Sequence, residues 1–381
     1  MLLKHISIQN VRNIVDFSSK IESSFNWFVG ENGAGKTSVL EALALLLTSK
    51  SFRSRSVKEY IRQQHKEVFV TGIVAHELIH SEQESDRFIA FKRSINGATE
   101  FRDRGKSVSV GDFLSEVPPV QVLAPDAENV INASPHYRRK FIDWGVFHVK
   151  HSYLEDWRAF NRILKQRNAA LKGNPPDRRL MHAIDCQFIP AAIRVAEARK
   201  SYWEGFKQFI NQQNAFGELS QILDMGSENA ADQLSIPYYQ GWSEKQSLED
   251  VIQGGLLTDL RLKTTQNGPQ RADFDVKIDG ISADKRLSRG QIKTVFYWLK
   301  VLQALHLRMT SGKKTLFLLD DVASELDKKR RIWVYDMILK SCLQVFGTGI
   351  ELDPILVETV SRQNGEVKVF HVKHGVLYEE A

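Results

Sequence analysis

The chain has 381 residues, 42% of them apolar, with 52 Lys and Arg against 46 Asp and Glu, a formal net charge of +6. That length and apolar share fit a globular protein with one large core or two smaller ones, and they exclude a disordered chain. The longest apolar run, Ala42 to Leu47, is far too short to cross a bilayer, and the moderate basic excess permits attraction to a polyanion without demanding it.

Lys4 and His5 lead into alternating polar and apolar residues, so no signal peptide is expected. Cys186 and Cys342 form neither a metal-ligand spacing nor a disulfide framework. A cytoplasmic protein with no membrane partner is the simplest reading. Within residues 1–21, Leu3, Ile6, Ile8, Val15, Phe17 and Ile21 suggest two antiparallel strands, with Arg12 and Asn13 at the turn. Phe25-Asn26-Trp27-Phe28-Val29 reads as a buried strand, and Ser38 to Leu47 as a strong helix former.

Between them lies Gly30-Glu31-Asn32-Gly33-Ala34-Gly35-Lys36-Thr37, a G-x-x-x-x-G-K-T phosphate-binding loop in its required strand–loop–helix context. The glycines let backbone N–H groups wrap closely around phosphates, and the helix N-terminus adds partial positive charge. Lys36 can bridge β- and γ-phosphates, and the Thr37 hydroxyl can take a place on Mg²⁺.

Ser51 to Ser56 is polar and basic; segments 67–75 and 87–95 read as strands, with Asn96-Gly97 a hairpin turn. Val117 to Leu123 brings the chain to a boundary. From 134 to about 215 the pattern is helical: Tyr153, Leu154, Trp157, Phe160, Ile163 and Leu164 follow i, i+3, i+4 spacing. A second helix from Arg178 carries Val195, Tyr202, Trp203, Phe206 and Ile210, and Asn174-Pro175-Pro176 separates the two. These aromatics read as core. The same stretch is basic: Arg138, Arg139, Lys140, Arg162, Lys165 and Arg167, with Lys150, Arg158 and Lys172, face few acids. Two readings stand, a solvated face and a face that contacts nucleic-acid phosphates. Residues 219–282 look like short strands and turns.

Thr315-Leu316-Phe317-Leu318-Leu319-Asp320-Asp321 is an apolar strand ending in two carboxylates, a Walker B pattern central to a parallel sheet. Asp320 is expected near Mg²⁺ and Asp321 near the γ-phosphate, where it could orient water. Leu287-Ser288-Arg289-Gly290-Gln291, followed by a helix from about Ile292 to Leu307, resembles the L-S-G-G-Q signature of ABC-type ATPases. Ser324-Glu325-Leu326-Asp327 resembles their D-loop. The resemblance implies that Ser288 and Gly290 of one chain face the nucleotide held by the loop of a second, giving an ATP-dependent homodimer.

A transporter subunit would need a membrane partner and usually a histidine after Walker B; the strand ending in Gly347-Thr348-Gly349 has none. The insert is also too short for the coiled coil of SMC-like repair ATPases. Nearly end to end, the sequence resembles the RecF family of bacterial recombination mediators. The resemblance rests on Arg12-Asn13, residues 30–37, Ser51-Phe52-Arg53, Tyr137 to Gly145, Leu164 to Leu171, Gly268 to Asp273, Leu287 to Gln291 and Leu319 to Asp327. Val11 and Gln270 depart from residues common in that family.

The resemblance implies an α/β ABC-ATPase head, a P-loop parallel core sheet plus an antiparallel sheet, with an inserted helical lobe and no long coiled coil. It implies slow Mg-dependent ATP hydrolysis, binding to double-stranded and gapped DNA, and work with RecR and RecO to load RecA. Arg12 is then a candidate for reaching the phosphates, and Gln121 for the Q-loop glutamine that senses Mg²⁺. The expected segments are 1–123 and 286–381 in the ATPase lobe and 124–285 in the helical lobe and insert. Two rivals remain: a subunit energising a membrane partner, and an ATPase switch that drives protein contacts alone.

Overall fold

The computed structural model describes residues 2–21, 23–54, 56–76, 85–125, 130–173, 177–225 and 233–379. The Asn174-Pro175-Pro176 break lies outside them. Two compact units emerge: Met1–Glu128 with Tyr297–Ala381, and Asn129–Phe296. The second boundary thus falls inside the helix Arg289–Ser311, about ten residues beyond the boundary expected before the signature. Residues 286–296, with the signature stretch, therefore group with the second unit.

The first unit contains two six-stranded sheets. One is antiparallel, in the order Ile14–Lys20, Leu2–Val11, Glu67–His76, Ser85–Ser94, Thr99–Asp103 and Lys106–Val108. The Leu2–Val11 and Ile14–Lys20 strands pair out to Val11 opposite Ile14, which leaves Arg12 and Asn13 as a two-residue turn. Arg12 takes a left-handed φ of 54°, and its N–H donates to the Tyr60 carbonyl.

The other sheet runs Val376–Glu379, Val367–Lys373, Phe25–Val29, Cys342–Gly349, Thr315–Leu319 and Val120–Leu123, with only its first pair antiparallel. Thr315–Leu319 is flanked on both sides and buried at every residue, which its unbroken apolar run demands. The helix Lys36–Thr48 is buried from Ser38 through Leu47, and its leucines share one core with Ile6 and Val70 of the first sheet and Leu318 and Phe346 of the second. A helix apolar on all sides has to be enclosed this way, and each fully buried leucine is worth roughly 1.5–3 kcal/mol.

In the second unit, helices Pro135–Val149, Tyr153–Ala170 and the 35-residue Arg178–Gln212 carry the core. Asp177 caps the last of these, accepting from the Arg179 and Leu180 N–H groups. The Trp203 ring lies tilted at 4.5 Å from Phe274, and Phe141 lies 5.6 Å from Phe274, so these aromatics form core; Trp157 is the exposed exception. Among the described residues of 219–282 are two seven-residue helices, Leu248–Gly254 and Leu256–Leu262, besides the expected short strands. Two turns of helix are too short to show a period in sequence.

Three of the six basic residues offered as phosphate contacts are otherwise engaged. Arg167 is wholly buried, with Nε on Asp185 at 2.6 Å and one terminal nitrogen on Asp259 and Thr265 at 2.6 and 2.8 Å. Arg138 holds Asp273 bidentately at 2.6 and 2.8 Å. Arg139 donates to the Ala272 carbonyl at 2.9 Å, and burial, foremost, with nearby Arg199 lowers its pKa. A buried guanidinium needs partners on its own chain, and these arginines have them. Lys140, Arg162 and Lys165 are exposed, as is Arg158.

Candidate functional site

A pocket of about 990 Å³ opens in the first unit at the meeting point of the glycine loop, the Arg12-Asn13 turn and the end of the Thr315–Leu319 strand. Asn32, Gly33, Gly35, Lys36 and Thr37 line it, together with Arg12, Asp320 and Asp321. Gly35 has a φ of +116°, and a Cβ there would lie 2.9 Å from the Asn13 amide. Glycine is therefore needed for both conformation and space. The Lys36 ammonium donates to the carbonyls of Gly30 and Glu31 at 2.7 and 2.9 Å. Burial lowers its pKa against the pull of Asp321 and Asp320. Ala34 is buried under the loop, its carbonyl accepting from Gly375 N–H at 2.7 Å.

The strand pairing delivers the two carboxylates. Thr37 Oγ1 donates to Asp320 Oδ1 at 2.8 Å across 283 positions of sequence, and Thr348 Oγ1 donates to the same oxygen at 2.8 Å. Burial raises the Asp320 pKa, with the Thr348 and Thr37 hydroxyls working the other way. Asp321 follows in a left-handed conformation, φ 48°, with its N–H on Thr348 Oγ1 at 3.0 Å.

The turn at 12–13 is fastened to the loop helix. Arg12 grips the fully buried Glu41 through two hydrogen bonds of 2.7 and 2.9 Å and also donates to the Glu59 carbonyl; the hydrogen bond to Glu41 raises its pKa. Ser51 donates to the same carboxylate. Asn13 accepts from Ser38 Oγ at 2.9 Å and donates to the Gly33 carbonyl at 3.3 Å. Arg12 thus lines the pocket with its guanidinium set by Glu41.

Sequence reasoning missed Asn13, Glu41, Thr348 and the wall formed by Lys58, Glu59, Ile61, Arg62, Gln63, Gln64 and His65. Glu41 left a readable signal, a lone charge inside an apolar helix; the wall left none, since a loop's position depends on what packs beneath it. Gln121 is no part of the pocket lining: it is buried mid-strand, its amide donating to Gln303 at 3.1 Å, which corrects its assignment as a metal-sensing glutamine.

In the second unit, Ser288 and Gln291 cap the signature helix reciprocally. Ser288 Oγ accepts from Gln291 N–H at 3.3 Å, and Gln291 Oε1 accepts from Ser288 N–H at 3.0 Å, a capping box. Gly290 has open space where a Cβ would stand. Asp327, exposed, caps Lys328–Ser341 by accepting from Arg330 N–H.

A glycine loop and a carboxylate-tipped strand at the ends of two strands of one parallel sheet, with Cys342–Gly349 between them, beside an antiparallel sheet and with a capped signature helix, define an ABC-type ATPase head of the SMC-like group. The family model described as RecF/RecN/SMC N terminal domain matches residues 2–376. The DNA replication and repair protein RecF of Pseudoalteromonas translucida (strain TAC 125) is 34% identical over 382 residues, 99% of each chain. The chain belongs to the RecF family. Among solved structures, that of the recombination mediator protein RecF with ATP in the RecFOR pathway is similar, with a TM-score of 0.81 at 25% identity over 100% of this chain and 97% of that one. An Smc head bound to the C-winged helix domain of ScpA, at 0.53 and 14% over 99% and 96%, shares the fold alone.

Proposed function

We propose that the chain binds Mg·ATP in the pocket, dimerises around it and acts on DNA in recombinational repair and replication, in the cytoplasm. The observation that carries this reading is the 2.8 Å contact of Thr37 with Asp320, which unites the two halves of a nucleotide–metal site. Their hard oxygens suit Mg²⁺, which takes one or two carboxylates and completes its shell with phosphate oxygens and water. The metal would neutralise charge on the phosphates. Lys36 turns from the loop carbonyls to phosphate oxygens, and the N–H groups of residues 32–37 cradle them. Asp321 orients the attacking water. Glu41 holds the Arg12 guanidinium at the rim, where it meets the phosphates or the ribose.

The signature, Ser288 and Gly290, and the D-loop residue Asp327 complete the site of a second copy, so closure requires two chains. Hydrolysis is slow and resets the dimer. Lys140, Arg162 and Lys165, with Arg158, supply the DNA face; duplex DNA beside single-stranded gaps is the substrate, with RecO and RecR as partners in loading RecA. Similarity to proteins named for replication, repair and the RecFOR pathway supports this reading.

The test is duplex and gapped DNA binding with and without ATP at two salt concentrations, together with ATP turnover. Tighter binding with ATP, weakened by salt, and turnover raised by DNA are expected. Turnover indifferent to DNA would sink the reading.

A further inference from the structure

Thr348 lies near the end of the strand Cys342–Gly349, and no motif in the sequence draws attention to it. The strand Cys342–Gly349 runs parallel between the Walker B strand and Phe25–Val29, with Gly347 level with Leu319 and Thr348 level with Phe28. Residue 348 therefore lies one step past the end of the Walker B strand, beside Asp320. It is 1% exposed, so its hydroxyl is confined to what these neighbours offer.

A threonine hydroxyl has one proton to give and lone pairs to receive with. Here the proton goes to Asp320 Oδ1 at 2.8 Å, and a lone pair receives the Asp321 N–H at 3.0 Å. Asp320 Oδ1 is thereby held between two hydroxyls, those of Thr37 and Thr348. The same atom of Thr348 pins the backbone of Asp321, a non-glycine residue in the sparsely populated left-handed region. We infer that Thr348 is a positioning residue that ties the two Walker B carboxylates into one unit. Its hydroxyl aims Asp320 toward the metal beside Thr37 and fixes the backbone from which Asp321 reaches the water. This rests on the Mg·ATP reading above. Any β-branched residue would satisfy the strand, so the hydroxyl is the feature that needs a reason.

The test uses the full chain with Thr348→Val, which keeps the shape and deletes the hydroxyl, and Thr348→Ser, which restores it. A fluorescent ATP analogue is titrated with Mg²⁺ and, separately, in EDTA; hydrogen–deuterium exchange is followed in the peptide covering residues 319–324. Thr348→Val should need roughly 5- to 10-fold more Mg²⁺ for half-saturation, the size expected for one lost hydrogen bond. Its binding in EDTA should stay within about twofold, its exchange should quicken, and Thr348→Ser should restore both. A wild-type Mg²⁺ requirement and wild-type exchange in Thr348→Val overturn the inference. So does equal impairment of both variants in EDTA, which would mark a packing role. Should the wild type bind nucleotide without regard to Mg²⁺, the metal reading fails. The exchange measurement then decides alone: quicker exchange in Val reversed by Ser supports the coupling, and unchanged exchange removes it.

Discussion

Asp320 and Asp321 are neighbours in sequence with different surroundings. Asp320 is buried and already receives two hydroxyl hydrogen bonds; Asp321 is half-buried and faces the pocket. A group that positions water acts in the transition state and contributes little to ground-state binding. Asp321→Asn should therefore bind ATP within a few-fold of wild type while hydrolysis falls by about 10²-fold or more. Single-turnover measurements check this, and a wild-type rate would remove Asp321 from the role. Outside the pocket lining, His306 is 5% exposed and burial pushes its pKa down to about 4. The folded protein keeps it neutral, whereas the unfolded chain takes up a proton below about 6.5. The unfolded state then binds more protons, so stability present above pH 6.5 is lost as pH falls toward 4. Comparing wild type with His306→Gln by denaturant unfolding should expose a pH-dependent loss of up to roughly 3 kcal/mol confined to the wild type.

At the scale of elements, the helix Tyr153–Ala170 shows how one basic run divides. Arg158, Arg162 and Lys165 point outward, and Arg167 points inward onto Asp185 and Asp259. Replacing Arg167 by Ala leaves two buried carboxylates uncompensated and should cost about 3–5 kcal/mol. Reversing Arg158, Arg162 and Lys165 to Glu should leave thermal stability nearly unchanged yet weaken DNA binding and flatten its salt dependence. Each lost phosphate contact should reduce the slope of log K against log salt by about 0.9. An unaltered slope in that triple variant would move the DNA face elsewhere. Charge density was legible in the sequence, but inward and outward charges were not separable. The acids that claim Arg138 and Arg167 lie as far as 135 positions away. The same distance problem hid Thr348, whose partner Asp320 lies on a neighbouring strand.

At the scale of the whole molecule, the central expectation is that nucleotide and a second copy are needed together. Lys36→Met removes the charge that faces several phosphate oxygens. It should abolish ATP-dependent dimerisation in light scattering without changing the circular dichroism of the fold. Dimer formation equal to wild type would refute the composite site. Ser288→Arg should still bind nucleotide, because the pocket lining comes from the first unit, yet fail to dimerise.

By itself, the sequence determined the loop, the Walker B strand and the signature, because each is local. Glycine spacing and an unbroken apolar run are dictated by backbone geometry within a few residues, and the signature is a run of five residues legible by its resemblance to L-S-G-G-Q. It also determined that a helix follows the loop, from Ser38 to Leu47; that this helix is enclosed is seen in the structure. Only the tertiary structure decided which polar groups meet. Glu41 captures Arg12, Asn13 donates to the glycine loop, Thr348 links the Asp320 carboxylate to the Asp321 backbone, and Gln121 turns to Gln303 inside the core. A buried polar group must find a partner wherever the packing brings one, and strand order, which the chain does not spell out residue by residue, sets what is brought within reach.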